Sequence, residues 1–195
     1  MYLTHGSSED ALSWIENSEL NEEQRGQLNQ FVSRFPSLTF AKGTTAFLDS
    51  VERENRVELP ADLKSIITTL VLAGEFPEFQ VDDYTHWTPR TDNPIPIWYA
   101  SDWGYTNDQE RRSFLQAGMF PVAQWADTGL STLAINVTDN RDTRVFEFTG
   151  EDIVDDIQSN QTPDSSVFPA FNSYTEMLSH ITELRLPDNT IIQAH

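Results

Sequence analysis

Cysteine is absent from this 195-residue chain, which excludes disulfides and thiolate-bound metals outright. Basic residues are scarce: 12 Lys and Arg stand against 31 Asp and Glu, for a formal charge of −19. A surface this negative repels phosphate backbones and anionic lipids, so direct binding to nucleic acid or to a membrane surface is not expected. Long apolar runs are missing too. The longest, from Ile66 to Ala73, is broken by Thr68 and Thr69 and is far too short to span a bilayer. The opening Met1-Tyr2-Leu3-Thr4-His5-Gly6-Ser7 has neither the basic start nor the apolar centre of a secretory signal, and a cytoplasmic location is the resulting expectation.

Catalytic signatures are equally sparse. His5, His86, His180 and His195 show no metal-ligand spacing, and there is no His-Glu-x-x-His run. The chain has no Gly-x-Ser-x-Gly elbow, P-loop or dinucleotide fingerprint. Gly129-Leu130-Ser131 leads into a strand pattern, not the helix that a nucleophile elbow requires. No cofactor, metal or catalytic residue is therefore expected.

What is present is enough to fold. Hydrophobic residues make up 38% and aromatics 11% of the chain, above the range of disordered sequences. A chain of this length can bury about 70% of its unfolded surface. The first third reads as helices. Ser7 precedes Glu9 and Asp10, with Leu12, Trp14 and Ile15 following, and Asn21 and Gln24 form a capping-box-like start before Leu28, Phe31, Val32 and Phe35. A third helix begins at Thr44 or Thr45 and carries Phe47, Leu48 and Val51. A fourth opens at Leu59-Pro60-Ala61-Asp62 and places Leu63, Ile66, Ile67, Leu70 and Val71 on one face before Gly74 stops it. It is the most apolar helix, and its expected place is the centre of the core.

From Phe76 the period shortens to that of strands. Alternation marks Ile95 to Tyr99 (an edge, because of its prolines), Phe120 to Gln124, Leu133 to Val137 and Val145 to Phe148. The polar Thr138-Asp139-Asn140-Arg141-Asp142 predicts a hairpin between the last two, and a short helix is expected over Asn107–Gln116, ended by Gly118. Gln158 to Ser166 is polar and reads as a loop; Ser173-Tyr174-Thr175-Glu176 opens a final helix that Pro187 ends. The fold class is α+β, a mostly antiparallel sheet with helices segregated on one face.

Two features could carry function. Trp87, Trp98, Tyr99, Trp103 and Tyr105 lie in a proline- and aspartate-rich stretch, and aromatics of this kind anchor protein interfaces. Carboxylates are densest at Glu151, Asp152, Asp155 and Asp156, while Asp127, Asp139 and Asp142 are expected near one end of the sheet. The Asp139 segment lacks the central glycine and terminal glutamate of a calcium loop. The expected partner-binding surface combines Trp98, Asp102, Trp103 and Asp108 with Glu151, Asp152, Asp155 and Asp156.

The order of motifs is informative as well. Leu59-Pro60-x-Asp62-Leu63-Lys64 opens the apolar helix, followed by Phe120-Pro121-Val122-Ala123, Trp125-Ala126-Asp127-Thr128-Gly129, Leu133-Ala134-Ile135-Asn136 and Phe171-Asn172-Ser173-Tyr174-x-x-Met177-Leu178. Over Thr44 to Leu184 this order resembles the SUKH superfamily, which includes Smi/Knr-type regulators of fungal cell-wall assembly and bacterial toxin-immunity proteins. Two departures stand out: Leu72-Ala73-Gly74-Glu75 in place of an Asn-Gly-Gly-like helix end, and Ile135-Asn136 where the family carries Leu-Asp. The resemblance implies a domain over 43–186, preceded by a helical extension over 1–42 and followed by a tail over 187–195. It also implies non-enzymatic binding of a basic protein, a cognate toxin such as a nuclease or deaminase. A regulatory scaffold in cell-wall assembly or signalling is the alternative, and a carboxylate-dependent hydrolase or metal enzyme a third.

Overall fold

The computed structural model describes residues 3–72, 79–80, 86–87, 108–126, 130–149 and 167–183. Helices α1 (Ser8–Glu16) and α2 (Glu22–Arg34) both start in reciprocal capping boxes. The Asp10 amide donates to Ser7 Oγ at 3.2 Å while the Ser7 amide donates to Asp10 Oδ2 at 2.9 Å. Asn21 and Gln24 repeat the exchange at 2.9 and 3.2 Å. Each box satisfies amides that the first helical turn leaves without acceptors. α3 (Thr45–Asn55) is capped by Thr44 and leaves through Arg56 in the left-handed conformation.

α4 (Ala61–Thr69) is buried through Leu63, Ile66 and Ile67, which places it at the centre of the core as expected. It ends earlier than its apolar stripe suggests. Leu70 is already extended, and Val71–Leu72 form strand β3. Backbone pairing explains the change: β1 (Thr4–Gly6), β2 (Phe40–Lys42) and β3 make a three-stranded antiparallel sheet with β2 in the middle, Ala41 facing Val71 and Phe40 facing Leu72. Gly43 lets β2 run close against α4, since a Cβ there would collide with the Ile67 carbonyl oxygen.

The second sheet is a six-stranded antiparallel meander in sequence order: β4 (Phe79–Gln80), β5 (His86–Trp87), β6 (Met119–Ala126), β7 (Leu130–Asn136), β8 (Val145–Thr149) and β9 (Val167–Phe171). α5 (Asp108–Gln116) precedes β6 and turns into it through Gly118, at φ +73°, and α6 (Tyr174–Glu183) follows β9. The fold is α+β, and the β7–β8 hairpin and the α5 helix stand where the sequence predicts them. The expected strand over Ile95–Tyr99 and the loop over Gln158–Ser166 lie outside the described residues.

Helices are not confined to one face of the sheet. Phe120, Val122, Leu133, Ile135 and Val145 point into the main core with α1 to α4 and α6, whereas Met119, Ala134 and Phe148 form a second cluster with Phe114 of α5. Phe114 and Phe148 meet edge to face, 5.1 Å between centroids. The expectation of one-sided packing is corrected on this point, because β8 carries apolar side chains on both faces and both need cover. Residues 3–42, expected as an extension, supply Leu28, Phe31, Val32 and Phe40 to the main core and the central strand of the small sheet. Among the described residues no helix is long and apolar enough to cross a membrane.

Candidate functional site

Of the residues expected to form the binding surface, Asp108 is the first residue of α5. Trp98, Asp102, Trp103, Glu151, Asp152, Asp155 and Asp156 lie outside the described residues, as does Asp127. Among the described residues no three His, Asp or Glu side chains converge on a point that could hold a metal ion.

Asp139 and Asp142 do sit together in the β7–β8 connection, and each is engaged locally. The turn begins with Asn136, whose Oδ1 accepts from the Thr138 amide at 2.9 Å, the Thr138 hydroxyl at 2.7 Å and the Asp139 amide at 3.2 Å. An asparagine that folds its side chain back on the following amides starts a turn by itself. Asp139 Oδ1 accepts the Arg141 amide at 3.0 Å. Asp142 is held by the Arg144 guanidinium, Nε to Oδ1 at 2.8 Å and Nη2 to Oδ2 at 2.9 Å. Those hydrogen bonds keep the Asp142 carboxyl below its usual range despite the opposing effect of partial burial. Arg144 also lies 5.0 Å from the centroid of the Phe146 ring.

Below this hairpin the first turns of α4 and α6 approach one another. α6 is capped by Ser173, whose Oγ accepts the Glu176 amide at 3.0 Å, while Glu176 Oε2 accepts the Asn172 amide at 2.6 Å. The Thr143 hydroxyl donates to the Asn172 carbonyl at 3.1 Å and docks the hairpin on the same loop. Between them lies a recess of about 30 Å³, reached from Pro60, Leu63 and Ile66 of the α4 end, Ile135 of β7, and Tyr174 and Thr175 of α6. Tyr174 is deeply buried, and burial pushes its phenol well above the ordinary value. Asp62 stands exposed at the rim with no cation beside it among the described residues.

A second cluster adjoins this one. No Lys or Arg occurs before Arg25, and the stretch ahead of it carries Glu9, Asp10, Glu16, Glu19, Glu22 and Glu23, all exposed. Arg25 is the first cation after them, and its Nη2 reaches back to the carbonyls of Ser18 and Leu20 at 3.5 and 3.2 Å, leaving one positive charge against six carboxylates in this part of the chain. The buried Gln24 links the two regions: its Nε2 donates to the Asp62 carbonyl at 3.4 Å, setting the start of α2 beside the start of α4. This acidic corner was missed in the sequence, where density of carboxylates drew attention to 151–156. The missing cations before residue 25 were the available signal.

Comparison with protein families, with curated proteins and with solved structures finds no match.

Proposed function

We propose that this chain is a non-enzymatic module that binds a basic protein, and that it acts as an immunity protein against a toxin such as a basic nuclease or deaminase. The observation that carries this reading is the acidic corner formed by α1, the following loop and the start of α2. Glu9, Asp10, Glu22 and Glu23 sit in first helical turns, where the positive end of the helix dipole favours a carboxylate. Folding therefore accounts for those four. Glu16 is different: it ends α1, where the dipole disfavours negative charge and where the last turn carries no basic residue. A carboxylate held at a helix C-terminus, on a stretch whose other charges before Arg25 are all negative, serves recognition better than stability.

Such a surface accelerates encounter with a cationic partner and makes binding sensitive to salt. The motif order that resembles the SUKH superfamily supports the same reading, and the cytoplasm is the proposed compartment, shared with a toxin acting on intracellular targets. The test is co-expression with basic toxins encoded beside this chain, followed by co-purification at 50 and 500 mM salt. The expected result is a complex that protects cells and forms far more slowly, and binds more weakly, at the higher salt. Failure to rescue cells from any neighbouring toxin, with no complex at low salt, overturns the proposal.

A further inference from the structure

We draw no further inference here: the strongest candidate, the partly buried Trp14 on α1 among the exposed Glu9, Asp10 and Glu16, belongs to the acidic corner already described, and nothing in the structure shows what covers it.

Discussion

Arg144 grips Asp142 with two parallel hydrogen bonds, Nε to Oδ1 at 2.8 Å and Nη2 to Oδ2 at 2.9 Å, and so locks the β7–β8 connection above the start of α6. The two residues are only two positions apart, so the pairing costs little chain entropy and pins the turn that borders the recess. Planar guanidinium and carboxylate groups suit this geometry better than a lysine would.

The pH dependence of stability should report that grip. The Arg144 hydrogen bond is the chief cause that holds the Asp142 carboxyl below the ordinary aspartate range. A depressed carboxyl favours the folded state above its unfolded value, and the benefit disappears as pH falls through the folded one. Asp142→Asn should therefore melt below the wild type at pH 7, with the difference shrinking as pH falls through and below the ordinary aspartate range. Differential scanning calorimetry of both proteins across that range checks it. A gap that does not vary with pH would mean the ionised pair contributes nothing.

Arg56 offers a gain in stability. It ends α3 at φ 57°, the only non-glycine residue with positive φ among those described, and the Val57 amide closes the helix end on the Glu52 carbonyl at 3.1 Å. Left-handed backbone costs an L-residue roughly 1–2 kcal/mol and glycine almost nothing, less the extra freedom glycine has when unfolded. Arg56→Gly should stabilise the protein by about 0.5–1 kcal/mol. The measure is a higher urea midpoint at unchanged slope.

Local signals made much of the fold readable, and long-range ones did not. Ser7 with Asp10, Asn21 with Gln24 and Ser173 with Glu176 marked helix starts that the structure keeps, because capping is chemistry between residues three apart. Gly118 and the Thr138–Asp142 turn were legible for the same reason. The small sheet was hidden: its strands are two or three residues long, too short for any period, and Val71 and Leu72 continue the apolar pattern of α4. The second face of the large sheet could have been found from Phe146 and Phe148, which alternate with Val145 and Glu147 in β8. The recess could not, since its walls come from three segments that only the fold brings together.

The two clusters should respond differently to truncation. Phe114 is 2% exposed, and among the described residues its buried partners are Met119, Ala134 and Phe148, a cluster separate from the main core. Phe114→Ala removes about 3–5 kcal/mol of packing if the fold stays closed, and it leaves α5 with the partly buried Leu115 on the main core, so the helix can open ahead of the rest. Amide exchange in α5 should accelerate strongly while α2 and α4 keep their protection. Phe31→Ala, in the main core, should accelerate exchange in all of them. Equal behaviour of the two variants would show one cooperative core.

Removal of the first 42 residues gives the sharpest test of how the chain is organised. Those residues place Ile15, Leu28, Phe31, Val32 and Phe40 at or near zero exposure, and β2 is the middle strand to which β1 and β3 pair. Each such side chain contributes about 1.5–3 kcal/mol by burial, and five together match the whole 5–15 kcal/mol by which domains of this kind are stable. The chain from Gly43 onward should therefore show no cooperative unfolding and should aggregate through the face that α2 covers. Removal of only the first six residues is the control: Thr4 and His5 are exposed, β1 is an edge, and a cooperative transition should survive with a lower midpoint. If the fragment from residue 43 melts cooperatively and keeps its far-ultraviolet dichroism, the amino-terminal helices are an accessory layer, and the burial of Phe31 and Phe40 is not what holds the fold together.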